Sequence, residues 1–144
     1  MAFTGNFMCT SFKVEILKAV HNFTNSTGNT FRCAMYTNSA TFTAATTAYT
    51  ASNEVTGTAY VAKGNTLVNV TPTSTSTTAF TDFSDTTWSS STITARGAMI
   101  FNDTASGDPS VVILDFGSNK SSSSSDFTIV FPTDNATSAI IRIA

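Results

Sequence analysis

The sequence predicts a mainly β chain, an antiparallel β-sandwich or jelly roll with one short N-terminal helix. Three observations carry this. Short apolar runs alternate with polar residues and are separated by clusters of Gly, Asn, Asp, Ser and Pro. Threonine and serine are the dominant residues, 28 and 19 of 144, and β-branched threonine suits a half-exposed strand. Twelve phenylalanines, each with about 150 Å² or more to bury, supply enough apolar material for one core. At 144 residues the chain has room for a single domain spanning 1–144.

The first element predicted is the helix, over about 11–23. Phe12, Ile16, Ala19, Val20 and Phe23 recur at three- and four-residue steps and share one face. Ser11 is placed to cap its start, Glu15 and Lys18 to form a weak surface pair, and residues 24–29 to stop it with turn formers. Strands are expected from about 30 to 143. Residues 30–36 alternate strictly, putting Phe31, Cys33 and Met35 on one side. Val55 to Val61 and Leu67 to Val70 read as two strands joined by a hairpin-like turn at 62–65. Further strands are expected at 79–83, 86–88, 92–95 and 97–101, with a turn at 102–109. Ser110 to Phe116 is apolar almost throughout and reads as a strand buried on both faces. Residues 126–131 and 139–143 complete the set. Two low-complexity stretches, 71–78 and 118–125, read as exposed hairpin tips.

Charge and cysteine usage narrow the function classes. Lys and Arg total 7, Asp and Glu total 9, and the charged fraction is 11%, against about 25% in ordinary soluble domains. No basic stripe exists to neutralise phosphates, which argues against nucleic-acid binding. No apolar run approaches the length of a membrane-spanning helix, and Met1 to Asn6 lacks the pattern of a secretory leader. Cys9 and Cys33 read as two small buried thiols, with a bridge between them left open by spacing.

Catalytic constellations are sparse. His21 is the sole histidine, at the polar end of the predicted helix, where a solvated or helix-terminal role outweighs a catalytic one. No Gly-x-Ser-x-Gly elbow and no phosphate-cradling glycine loop occurs. Asp82 with Asp85, and Asp103 with Asp108, are close in sequence but sit in turn contexts, where Asp stabilises local backbone. The 102–108 segment has oxygens enough for a cation but not the EF-hand pattern. No catalytic, cofactor-binding or metal residues are assigned. The aromatics Trp88, Tyr49 and Tyr60, with Tyr36, are candidates for stacking on a sugar, although core packing is the commoner fate of a lone Trp.

The order of motifs carries a resemblance. A short helix from Phe12 leads to 31–40 (FRCAMYTNSA) and 53–60 (NEVTGTAY). Then follow 93–98 (ITARGA), 113–117 (ILDFG), 126–132 (DFTIVFP) and 140–143 (IIRI). This set resembles small virion structural proteins of tailed bacteriophages, marine and cyanobacterial phages in particular, and β-rich tail-fibre or head-decoration domains. Such relatives commonly carry glycine before the tyrosine of the Glu-Val-x-Gly segment, where this chain has Ala59.

The resemblance implies a non-enzymatic part of the virion, located on the capsid, neck or tail exterior and contacting other virion proteins. It implies a homo-oligomer as well, with a trimer as one form, and no nucleic-acid or membrane partner. Phe3, Phe7, Met8, Phe12 and Ile16 are the candidate docking residues; Phe3, Phe7 and Met8 could equally form the first core strand. The alternative role is a fibre module binding host glycan through Trp88, Tyr49 and Tyr60.

Overall fold

Two strands dominate the computed structural model, which describes residues 3–144. Met1 and Ala2, the start of the segment read above as no leader, lie outside the described residues. In chain order the elements are β1 (Phe7–Met8), α1 (Thr10–Leu17), β2 (Phe31–Tyr36) and β3 (Asn65–Thr66). They are followed by β4 (Thr73–Thr75), β5 (Thr78–Thr81), β6 (Thr86–Asn102), β7 (Ser110–Ile129) and β8 (Ile141–Ile143). The fold is mainly antiparallel β with one short helix, as the sequence predicts. Five strands form one sheet in the order β1-β7-β6-β2-β3, and β4-β5-β8 form a second, a sandwich-like pair. No helix among the described residues is long and apolar enough to cross a membrane.

β6 and β7 form one long hairpin around the 103–109 turn, paired from Phe101 and Ser110 out to Thr86 and Ile129. At the turn end, Gly97 to Asn102 and Ser110 to Ile113 are buried on both faces. Farther out, burial alternates. Trp88, Ile93, Phe127 and Ile129 face the core while Thr87, Thr92, Thr94 and Thr128 face outward. Outward hydroxyls bond across the strands, Thr87 to Thr128 at 2.8 Å and Thr94 to Ser121 at 2.8 Å.

Several expectations are corrected. The serines at 118–125 are not a hairpin tip but the middle of β7, where Ser122 is buried and shares a 2.7 Å hydrogen bond with Ser91. The short runs at 86–88, 92–95 and 97–101 are one continuous strand, because irregularities between Trp88 and Ser91 and near Gly97 bend β6 without ending it. The expected hairpin of 55–61 with 67–70 does not form. A turn closes there, with the Gly64 N–H donating to the Val61 carbonyl at 2.9 Å. Its exit strand β3 pairs instead with β2, Cys33 opposite Asn65. The other low-complexity stretch does form a hairpin, with a tip narrowed to Ser76 and Thr77 between β4 and β5.

The helix stops at Leu17, six residues before the predicted end. Its carboxyl end is a Schellman turn: Val20 N–H donates to the Glu15 carbonyl and Ala19 N–H to the Ile16 carbonyl. Ala19 takes φ 58, the left-handed conformation usually given to glycine. Ser11 is not the cap; Cys9 occupies that position without a side-chain cap bond. Beyond the turn the chain is extended, and Phe23 stacks on Phe31 with ring centroids 4.4 Å apart. Ala59, at the position where similar chains carry glycine, also takes a positive φ of 64.

The core is built on phenylalanine. Phe3 meets Phe42 edge-on at 5.6 Å, and Phe12, Phe23, Phe31, Phe83 and Phe131 form a connected run of rings. Cys9 and Cys33 are both buried free thiols. Burial raises both, Cys33 to about 12.

Candidate functional site

The segment between β2 and β3 carries a connected group of ionisable side chains, Tyr49, Glu54, Tyr60 and Lys63. Glu54 lies at its centre, paired through an isolated bridge to Tyr36. Its Oε1 accepts from the Tyr60 hydroxyl at 2.7 Å and from the Lys63 backbone N–H at 2.7 Å; its Oε2 accepts from the Tyr49 hydroxyl at 2.6 Å. Tyr60 Oη in turn accepts the Met35 N–H at 2.8 Å, tying the segment to β2. Burial, reinforced by the Glu54 carboxylate, pushes the Tyr49 phenol up to about 12 and Tyr60 higher still. Tyr36, fully buried and donating to the Thr50 carbonyl at 2.7 Å, is raised as well, again mainly by burial. These phenols are donors with their protons held.

Lys63 extends the cluster. Its Nζ lies 2.8 Å from Asp103 Oδ1 and 2.8 Å from Asp108 Oδ2, and sits above the Tyr49 and Phe101 rings. The hydrogen bonds to Asp103 and then Asp108 raise its pKa. The carboxylates of the 102–108 turn therefore meet an ammonium, and Asn102 points inward to other partners. Among the described residues no group of three or more His, Cys, Asp or Glu is placed to hold a metal ion.

His21 is corrected from a solvated helix-end residue to a buried one. The Schellman turn folds the chain back, so the ring packs against Phe12 at 5.1 Å and lies 6.2 Å from Phe31. Its Nε2 is 2.9 Å from Glu15 Oε2 and its Nδ1 is 3.0 Å from Asn102 Nδ2. Glu15 thus pairs with His21 rather than with Lys18. Asn102 Oδ1 accepts the Thr104 and Ala105 N–H groups at 3.0 and 3.1 Å. That fixes the amide so that its NH₂ faces the ring. Nδ1 must then be the acceptor and Nε2–H the donor to Glu15. Among the described residues no hydroxyl or thiol is hydrogen-bonded to the ring, whose partners are Glu15 and Asn102.

The remaining sequence candidates fall as follows. Trp88 is 2% exposed, inside the core beside Tyr60 and Phe127. Its face is closed to a sugar, and its Nε1 has no hydrogen-bond partner among the described residues. Tyr49 and Tyr60 are half-buried and committed to Glu54. Phe3 and Phe12 are fully buried, whereas Phe7, Met8 and Ile16 are half-buried against the core. Phe7 and Met8 form β1, opposite Ile113 and Val112, so the first-strand alternative describes them. The Arg96 guanidinium lies over the Phe3 ring and pairs with Asp115, whose Oδ2 accepts the Gly5 N–H at 2.9 Å. The N-terminal segment is held to β7 by these bonds.

Asp82 and Asp85 serve the backbone. Asp82 is buried and accepts the Phe83 N–H at 2.8 Å and the Ile140 N–H at 3.2 Å. Burial raises its pKa, partly offset by those two donors. Asp85 accepts the Phe131 N–H at 2.8 Å.

Sequence reasoning missed the Glu54 and Lys63 cluster. The residues lie in one short segment, but the acidic partners of Lys63 at 103 and 108 are some forty residues away, and no spacing rule joins them. Comparison with protein-family models, with curated proteins and with solved structures finds no match for the chain.

Proposed function

We propose that this chain is a non-enzymatic structural subunit of a tailed-phage virion, attached to the exterior of the particle by protein–protein contacts. The observation supporting this reading is how the polar groups are used. The lone pairs of Glu54, the Nζ of Lys63, both nitrogens of His21 and both oxygens of Asp82 are committed to partners within the fold. They brace loops and strand ends instead of converging on a space where a substrate could react. What the fold turns outward is a long β-ribbon bearing threonine and serine. Hydroxyls give adaptable hydrogen bonding at lower desolvation cost than ions, a surface suited to packing against other proteins. The motif order described above supplies the virion assignment.

The glycan-binding alternative has less support, because it rests on Trp88, whose ring is enclosed. The test is mass spectrometry and cryo-microscopy of purified particles from the phage that encodes the chain. The reading expects the protein at stoichiometric copy number in mature particles, at ordered exterior positions. Its absence from mature particles overturns the reading.

A further inference from the structure

The His21 side chain has no exposed surface, and Asn102 beside it is fully buried. In the neutral ring Nδ1 accepts from Asn102 Nδ2 at 3.0 Å, and Nε2–H donates to Glu15 Oε2 at 2.9 Å. The other charged groups on the elements around the ring are turned elsewhere. On α1, Lys13 and Lys18 are exposed. On β2, Arg32 reaches the Lys63 and Gly64 carbonyls, and just past β6 Asp103 meets Lys63. Residues 22–29 include no charged side chain. Cys9, which feels the Glu15 charge, keeps its thiol proton because burial raises it.

A second proton on the ring brings a positive charge, and Glu15 is in place to meet it, so the ion is not left unpaired. The conflict arises at the other nitrogen. A protonated Nδ1 is a donor, and it faces the NH₂ of Asn102, which is a donor too. Asn102 then has two ways out. It can withdraw from the ring, or it can turn its amide over so that Oδ1 faces Nδ1–H. Withdrawal of the planar amide displaces Oδ1 along with Nδ2. Turning it over sets the NH₂ against the Thr104 and Ala105 N–H groups, which Oδ1 now accepts at 3.0 and 3.1 Å. Either way the β6–β7 turn loses its side-chain acceptor, and Asn29 Oδ1 loses its bond from Asn102 Nδ2.

We propose that His21 and Asn102 form a proton-operated latch on the turn between β6 and β7, closed while the ring is neutral and released when Nδ1 is protonated. The bistable element is the Asn102 side chain, and the proton biases it through a single donor–acceptor conflict. The Thr104 hydroxyl accepts the Thr30 N–H at 2.8 Å, so release also reaches the residue before β2. Two backbone bonds do not involve the Asn102 side chain, Asn102 N–H to the Pro109 carbonyl and Asp103 N–H to the Thr30 carbonyl. They hold the end of the hairpin, so the latch loosens a turn and leaves the sheet intact. This inference goes beyond the virion reading and does not depend on it.

The test is NMR of the nitrogen-15-labelled full chain, titrated from about pH 8 down to about pH 4.5. Protonation of His21 Nδ1, the Asn102 Nδ2 signals and the Thr104 and Ala105 amide signals are expected to change together, with one midpoint. Across it the protection of the Thr104 and Ala105 amides from hydrogen exchange is expected to fall about tenfold, while that of the Asn102 and Asp103 backbone amides holds. His21→Asn keeps an acceptor at the δ position and cannot take the proton, so its turn is expected to stay closed over the same range. That variant retains Asp103 and Asp108, which separates their own titration from the latch. If His21→Asn fails to fold, the shared midpoint in the unaltered chain decides alone. A ring protonated at Nδ1 beside an unchanged turn overturns the proposal. So does a turn that opens equally in His21→Asn, or a ring that stays neutral until the whole chain unfolds.

Discussion

Replacing Asn102 by alanine tests the buried polar hub directly. Asn102 is fully enclosed at the end of β6 and makes four hydrogen bonds within 3.1 Å, to the Thr104 and Ala105 N–H groups, His21 Nδ1 and Asn29 Oδ1. Each such bond contributes about 1 kcal/mol net, and an orphaned buried acceptor costs a further ~1–3 kcal/mol. The orphan here is His21 Nδ1, bonded to Asn102 and held among Phe12, Phe23 and Phe31. The Thr104 and Ala105 N–H groups are nearer the surface and recover part of their loss in water. The expected cost of Asn102→Ala is therefore about 3–5 kcal/mol, a large share of the ~5–15 kcal/mol by which domains are stable. Urea unfolding at neutral pH measures it, and thermal unfolding should show a melting temperature lower by about 10–20 °C. Asn102→Asp separates the two halves of the hub, since it keeps an acceptor for the turn and loses the donor to His21. Nitrogen-15 NMR of His21 in the unaltered protein should find Nδ1 bare and the proton on Nε2. A loss below about 1 kcal/mol for Asn102→Ala, or a proton on Nδ1, refutes the reasoning.

Other substitutions and conditions give further checks. Ala19→Gly and Ala59→Gly relieve left-handed strain at exposed positions and should each stabilise the fold by about 0.5–1 kcal/mol in urea unfolding; destabilisation by either contradicts the Schellman turn or the φ 64 geometry. Gly64→Ala should cost about 3 kcal/mol or more, because φ is +65 and a Cβ there would meet the Cys33 carbonyl oxygen. In the folded protein neither Cys9 nor Cys33 should react with a thiol reagent at pH 8 until urea unfolds the chain, and rapid native labelling would contradict their burial. Tyr36, Tyr49 and Tyr60 have folded pKa values above the ordinary phenol value of 10, so the unfolded chain releases protons that the folded one keeps. Stability is thus full below pH 10 and falls as pH rises from there towards about 12; an unchanged urea midpoint across that window rejects the tyrosine placements.

Much of the β architecture was legible because it rests on alternation. Phe127 and Ile129 face the core as their spacing requires, and Phe31, Cys33 and Met35 are buried as well, although in β2 the alternate residues Ala34 and Tyr36 are enclosed too. The helix end was not legible, because the residue in the left-handed position is Ala19, and alanine ordinarily signals continuation. The serine run misled for a related reason: five polar residues suggest a tip, yet a strand with one outward face and cross-strand hydroxyl partners accepts serine throughout. The merging of three short runs into β6 depended on bulges, which preserve pairing where the alternation in sequence breaks. In segment 37–64 the turn before β3 was legible, but the strand expected at 55–61 does not form. The segment is held by side-chain bonds to Glu54 and by Lys63 reaching two aspartates, and such tertiary choices leave no local pattern. The burial of His21 belongs to the same class, since it depends on what packs above it, whereas Trp88 takes the core position that the sequence reading already favoured.

The pairing of β1 with Val112 and Ile113 has a consequence for synthesis. More than a hundred residues must leave the ribosome after Phe7 before its partner exists. At about 5–20 residues per second this is an interval of roughly 5–20 s. Throughout it Phe7 and Met8 lack their β7 partners and are open to chaperones or to premature clumping, while Phe3 and Phe12 find Phe42 and Phe23 much sooner. The chain therefore completes β1 only after the turn between β6 and β7 has emerged.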